Sequence, residues 1–312
     1  MNENVNTITG LTAENQTFYD RTLLERCLPE LTFYEDAMKK KIPAGKGTSI
    51  EWRKFGSLEA ATEPLTEGVT PEGKELEITA ITKALAQYGD YVVVSDVLDM
   101  QGKDPVITET SELLGEQAGL TVNSIIAEEI ALGTSVRYAG GKTATSALTA
   151  ADVLTGDLVK KTVRDLRKNN IKPFADGYYH ATISAEQAYD LMSDTANGGW
   201  IDVVKYAGAK KLLKGEIGEY AGVRFRVSSE TPTGVGASDA AVHKALIYGK
   251  DTYGVPEIGA NAAKPKIIVK GKGSAGTNDP LDQRSSIGWK SMFACKRLNE
   301  LGIVRVETGI SA

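Results

Sequence analysis

Several short patterns in the 312-residue chain could hold chemistry, and each lacks a partner that it needs. Gly141-Lys142-Thr143 is the tail of a phosphate loop, where backbone N–H groups cradle phosphate and the lysine reaches it. The glycine expected five positions earlier is Val136, and the preceding segment reads as a helix end, so a Gly-rich turn fits better. Gly271-Lys272-Gly273-Ser274-Ala275-Gly276 matches a dinucleotide fingerprint and follows the strand PKIIVK. Pro280 then blocks the helix whose N-terminus would receive the pyrophosphate, which leaves a loop. His180 and His243 are the only histidines; each lies in or beside a predicted strand, with no Cys or carboxylate at ligand spacing. Asp90 and Asp96 read as the exposed face of a strand and Asp99 as a turn cap. There is no GxSxG elbow, and no nucleophile meets a base. No cofactor, metal or enzyme activity is expected.

Composition is that of an ordinary globular protein, 41% apolar and 25% charged. No apolar run is long enough to span a membrane, and the polar start MNENVNTITG lacks a secretory pattern. Cys27 and Cys295 are too few for a disulfide framework, which suits a reducing cytoplasm. The net charge of −5 argues against a dedicated sequence-reading DNA binder. A local basic cluster still stands out: Lys39, Lys40, Lys41, Lys46, Arg53 and Lys54. It is either a solvated helix end or a phosphate contact.

The element that must position everything else is the stretch 104–133. Asp104 can cap it, Pro105 suits the first helical position, and Gly133 supplies a stop. Val106, Leu113/Leu114, Ala118, Val122, Ile125/Ile126 and Ile130 recur along one stripe, which predicts one long helix. Gly115 and Gly119 leave a bare patch on it. Upstream, 18–41 reads as a helix broken at Pro29, ending in the lysine run. Residues 48–55 alternate as a strand whose partner resumes at 75–82, and 87–97 forms a β-branched strand, so 48–96 reads as a long projecting hairpin. Such a hairpin is marginal alone and should find a partner surface. Residues 150–170 predict an amphipathic helix with Leu158, Val159, Val163 and Leu166 inward and Lys160, Lys161, Arg164, Arg167 and Lys168 outward.

In this order the phrases FYDRTLLERCLPELTFYEDAMKKKIP, GTSIEWRKFGSLEAATEPLTEGVTPEG, QYGDYVVVSDVLDM, DPVITETSELLGEQAGLTVNSIIAEEI, RYAGG and DPLDQRSSIGWKSMFACKRLNELGIVRVE resemble one family. It is the tailed-bacteriophage major capsid protein, with the Hong Kong phage capsid fold. More narrowly, the chain resembles the coats of short-tailed coliphages that carry a virion RNA polymerase. The resemblance implies an α+β fold: an N-terminal arm (1–47), an extended β-hairpin loop (48–96), a peripheral domain (97–144 and 264–312) with spine helix 104–133, and an axial α/β domain (145–263). The last part would return as strand–helix–strand.

The same resemblance implies a structural, non-enzymatic protein of the virion capsid, assembled in the host bacterial cytoplasm. It would form pentamers and hexamers of an icosahedral head around double-stranded DNA. Further expected partners are a portal protein, a separate scaffolding protein during assembly and a decoration protein, with no membrane and little N-terminal trimming. Trp52, Arg53, Leu58, Glu63, Leu65 and Glu67 of the extended loop are expected at the subunit interface. Lys39, Lys40, Lys41, Lys46 and Lys54 are expected to face the DNA. The alternatives are an encapsulin-like compartment shell and, from another class, a nucleotide-dependent enzyme using 141–143 or 271–276.

Overall fold

A computed structural model describes residues 31–41, 49–56, 73–96, 106–195, 216–257, 266–274 and 280–311, with scattered positions between 58 and 70. Expectations at Phe18, Cys27, Pro29, Lys46, Glu63, Leu65, Asp99, Asp104, Pro105 and Gly276 lie outside the described residues. In chain order the elements begin with a helical turn α1 (Thr32–Glu35), then strands β1 (Met38–Lys40), β2 (Ser49–Phe55), β3 (Ile78–Ala84) and β4 (Ala86–Ser95). The spine helix α2 (Val106–Ala131), strand β5 (Val136–Tyr138), helix α3 (Gly156–Lys168), strand β6 (Tyr179–Ile183) and helix α4 (Ala185–Met192) follow. Next come β7 (Glu216–Tyr220), β8 (Val223–Val227), β9 (Thr233–Val235), β10 (Ala241–Tyr248) and β11 (Tyr253–Pro256). The chain closes with β12 (Lys266–Lys270), β13 (Arg284–Phe293), β14 (Lys296–Arg297) and β15 (Ile303–Gly309).

Strand β10 is buried along most of its length because both of its faces are covered. Alternate side chains of a strand point to opposite faces. Ala245 and Ile247 accordingly join one core with α3 and α4, while Leu246 and Tyr248 join another with α2 and α1. This strand sits in a seven-stranded sheet of order β5-β15-β10-β6-β8-β7, with β9 also on β10. The first core is built from the amphipathic pattern of α3: Leu158, Val159, Val163 and Leu166 are buried, and Lys160, Lys161, Arg164, Arg167 and Lys168 are exposed, as its period predicts. Helix α4 starts on a capping box in which Ser184 and Gln187 satisfy each other's backbone.

Strand β15 pairs with β10 through all seven residues from Ile303 to Gly309, and β5 pairs with β15. The proposed division at 263/264 therefore falls inside one hydrogen-bonded sheet: both ends of the expected peripheral domain supply strands to the axial one. The return segment is also not strand–helix–strand. Its middle is the ten-residue β13, sandwiched between β12 and β4 in an antiparallel sheet. The expected hairpin is β2 with β3, from Ser49↔Ala84 to Phe55↔Ile78, while β4 has left it for β13.

Helix α2 spans 26 residues, about 39 Å at 1.5 Å per residue. Leu114, Ala118, Val122, Ile126 and Ile130 are buried as its stripe predicts, and Ala127 is buried beside them; Leu113 is exposed. Gly115 and Gly119 are buried too. No basic residue lies in the last turn of α2. Cations arrive instead from the returning chain. Arg297 Nη1 donates to the Glu129 carbonyl at 2.8 Å, and Arg305 Nη1 donates to those of Ala131 and Gly133. These guanidinium groups satisfy orphan carbonyls at the negative end of the helix dipole.

Candidate subunit interface

The hairpin is anchored at its base and bare toward its tip. Ile50 and Trp52 alternate inward on β2 and pack with Ala294, Leu85 and Leu298. Trp52 is 2% exposed, so its indole is spent inside its own chain. Beyond it the apolar residues lose their cover. Phe55, Leu58, Leu76 and Ile78 are 58, 62, 53 and 53% exposed, and Phe55 faces Ile78 across the ladder. Arg53 is bound by Glu51 at 2.8 Å, which lowers the Glu51 pKa, first through the hydrogen bond and then through charge. Glu67 is exposed in a turn.

A second bare apolar face lies on another sheet. Tyr91 and Val93 of β4 are 68 and 50% exposed. Opposite them on β13 are Gly288 and Ser286, and Ile268 of β12 lies opposite Gly288. A side chain on Gly288 would meet Tyr91 Cβ at 2.7 Å, and one on Gly89 would meet the Trp289 carbonyl at 2.4 Å. The small residues leave a groove of about 560 Å³ lined by Tyr91, Ile268, Gly89 and Gly288. The inner face of the same sheet is fixed to the spine helix by a polar chain. Trp289 Nε1 donates to Gln117 Oε1 at 3.1 Å, and Gln117 Nε2 donates to Asp90 Oδ2 at 2.7 Å. Asp90 is therefore a helix–sheet tie whose pKa is lowered, first by Gln117 and then by the Tyr91 N–H.

The phosphate-loop fragment is a turn. Gly140 and Gly141 take φ of 60° and 69°, and no helix of the required kind follows: Thr145–Ala147 is a single 3-10 turn. Lys142 lies near the Asp152 carboxylate, whose oxygen accepts from Thr149 N and Oγ1 at 2.8 Å each. Gly273 is a turn glycine with φ of 80° after β12, which is an antiparallel strand and not the parallel one a dinucleotide site requires.

His180 departs from its expected isolation. Asp176 Oδ2 lies 3.0 Å from Nε2, and Asp36 Oδ1 lies 2.8 Å from Nδ1. Sequence reading overlooked both, since Asp36 is 144 positions away and Asp176 reaches the ring only because the loop before β6 folds back. Arg224 Nη1 contacts Asp176 at 2.8 Å, and Arg226 Nη1 contacts Glu35 at 3.0 Å and Asp36 at 3.6 Å. Among the described residues no group of acids, histidines and cysteines is arranged to hold a metal ion. The described helices also include none long and apolar enough to cross a membrane. Cys295 is buried, which raises its pKa and leaves the thiol inert.

A sequence-family model described as phage capsid protein matches residues 79–306, from the second hairpin strand into β15. The chain belongs to the phage capsid protein family. This capsid protein also shares its fold with solved heads. The cyanophage Pam1 capsid aligns with a TM-score of 0.68 at 17% identity, covering 93% of each chain. The capsid of Ralstonia phage GP4 aligns at 0.69 with 12% identity, covering 89% of this chain and 88% of that one. A virus-like particle from Pyrococcus furiosus aligns at 0.53 with 11% identity, covering 94% and 99%. No curated protein matches in sequence. The fold is the α+β tailed-phage capsid fold, and the protein is a structural subunit of a homo-oligomeric phage head, found in the virion, not an enzyme.

In this capsid subunit the lysine run is not a helix end. Lys39 and Lys40 belong to β1, which runs parallel to β11. The Lys39 ammonium sits over the Tyr34 ring at 4.6 Å, and Lys40 Nζ donates to the Glu51 carbonyl of β2. Lys41 and Lys54 are exposed. Arg53 and Lys54 line a groove of about 380 Å³ with Lys172, Lys250 and Asp251. The fold thus gathers Lys40, Arg53 and Lys54 near the hairpin base.

Proposed function

We propose that the subunits join head to tail, the hairpin tip of one copy seated on the β4 face of the next. The observation that carries this is that one chain exposes two separate apolar patches, Phe55/Leu58/Leu76/Ile78 and Tyr91/Val93 with the groove at Gly89 and Gly288. Exposed apolar residues clustered in this way mark interaction surfaces. Because the two are different surfaces, the contact is heterologous, and such contacts close into rings when the rotation permits. Rings closed in this way would be the pentamers and hexamers of the icosahedral head. Arg53 and Glu67 belong to the polar rim of this contact, whereas Trp52 supports it from within by holding the hairpin base. Glu63 and Leu65, outside the described residues, are proposed for the same interface from the sequence alone.

The enclosed cargo is double-stranded DNA, held by weak contact with Lys39, Lys40, Lys41, Lys46 and Lys54. Scaffolding, portal and decoration proteins complete the proposed partners, and assembly takes place in the host bacterial cytoplasm. Family membership favours DNA as cargo over the protein cargo of an encapsulin-like shell. The narrower likeness to coats of short-tailed coliphages with a virion RNA polymerase is supported by the sequence phrases alone. The test is a pair of charge substitutions at exposed sites, Ile78→Glu on the hairpin and Val93→Glu on β4. Each variant should stay folded by circular dichroism yet fail to form closed shells under the electron microscope. Normal shells from both would overturn the proposal.

A further inference from the structure

We propose that Asp36, His180 and Asp176 form a pH-sensitive clasp that holds the arm segment 31–41 on the central sheet, closed below neutral pH and loosened above it. The geometry favours one protonation state. Both ring nitrogens of His180 face carboxylate oxygens, at 2.8 Å and 3.0 Å. An ionised carboxylate only accepts, so each contact is a hydrogen bond only if its nitrogen carries a proton. A neutral imidazole has one such proton; the imidazolium has two. The arrangement is therefore that of a charged ring, 8% exposed at its side chain and stacked on Phe174 at 4.0 Å between centroids.

The surrounding charges make the ring's charge count. Facing it are Asp36 from the arm and Asp176 from the loop before β6; Arg224 of β8 contacts Asp176, and Arg226 of β8 contacts both Asp36 and Glu35. Glu219 of β7 holds Arg224 at 3.0 Å, and Tyr248 of β10 donates to Asp36 Oδ2 at 3.0 Å. Tyr253 of β11 donates to the Phe33 carbonyl at 2.7 Å. Four carboxylates (Glu35, Asp36, Asp176, Glu219) thus share three cations while His180 is charged and two once it is neutral. A neutral ring keeps one N–H and can donate to only one of Asp36 and Asp176, so one of the two contacts is lost and both carboxylates face excess negative charge. Burial alone would lower the His180 pKa; the hydrogen bonds and charges of Asp36 and then Asp176 outweigh it, and the net direction is upward. A group whose folded pKa is raised stabilises below its unfolded value and loses that contribution as pH rises through the folded one. The clasp hence loosens on the alkaline side.

Arm order becomes a function of pH through a residue that is neither at the hairpin nor among the basic residues. The chain holds only two histidines, His180 and His243, so ¹⁵N-histidine labelling yields two imidazole spin systems, and His180→Gln identifies them. The His180 signal should be that of an imidazolium at about pH 7, above the ordinary histidine midpoint. Hydrogen exchange, corrected for intrinsic rates, should show amides of 33–37 losing protection as pH rises from about 6 to about 9. In His180→Gln that protection should be low and independent of pH over the same range. A neutral His180 at about pH 6, or equal pH dependence in wild type and variant, would overturn the proposal.

Discussion

The indole of Trp52 lies across the α-carbon of Gly254, so close that a Cβ there would fall 2.5 Å from Nε1 and 2.6 Å from Cε2. This contact joins the hairpin base to β11, the strand that also pairs with β1 of the arm. Gly254→Ala should push the indole out. Overpacking of this kind costs about 1–3 kcal/mol. The expected result is a lower melting temperature of the subunit with a red-shifted tryptophan fluorescence, checked by scanning calorimetry and emission spectra.

Asn123 is buried in the middle of α2 at 1% exposure. Its Oδ1 accepts from the Phe33 N–H at 2.9 Å and its Nδ2 donates to Ser228 Oγ at 3.4 Å, so one amide ties arm, spine and sheet. Asn123→Leu leaves the buried Phe33 N–H without its acceptor, at a cost of about 1–3 kcal/mol. Proteolysis should then attack the arm faster than in wild type. Asn123→Asp keeps the acceptor and should protect the arm better than the leucine variant does.

Arg305 caps the end of α2 and lies 2.7 Å from Glu307, which is 1% exposed. The two atoms are close but not aligned for a hydrogen bond, so the contact is chiefly one of charge. Thr145 Oγ1 donates to the other Glu307 oxygen. Arg305→Met strands a buried carboxylate, and breaking such a pair costs about 3–5 kcal/mol. Adding Glu307→Gln should restore much of the loss. Denaturant unfolding of the four proteins in this cycle measures the coupling; simple additivity would contradict it.

Asp176 gives the acid limb of stability. Burial would raise its pKa, but the hydrogen bond from His180, the Tyr178 N–H and the charges of His180 and Arg224 together lower it. A depressed carboxyl stabilises above its unfolded pKa and loses that contribution as pH falls through the folded one. Stability should therefore decline below the ordinary aspartate value of 3.8. Asp176→Asn should flatten that limb in thermal melts recorded against pH.

Neutralising Lys39, Lys40 and Lys41 to Gln should weaken DNA retention at low salt and leave shell size unchanged. Every lysine–phosphate pairing removed reduces the slope of log affinity against log salt by about one. Release of DNA from particles, followed by dye access at several salt concentrations, measures it. Unchanged retention would return these lysines to a solvated role.

Periodicity within one element was legible from the sequence because it depends on neighbours three, four or two positions apart. The inward residues of α3, the stripe of α2 and the pairing of β2 with β3 all follow from such spacing. Strand β13 carried a period-two signal as well: alternate residues Ser285, Ile287, Trp289, Ser291 and Phe293 are buried, with Gly288 the one buried position between them. Two serines on the inner face hid it, and their burial is tolerable only where partners exist, as Ser285 Oγ shows by donating to the Val94 carbonyl. Strand β1 was equally hidden, since three exposed side chains give no pattern and its ladder partner begins at Gly254. What tertiary structure alone decided is pairing at a distance: β15 beside β10, Arg305 on the end of α2, and Asp36 on His180. Backbone ladders and charges select partners by proximity in space, and residues 144 positions apart hold no mutual signal until the sheet brings them together.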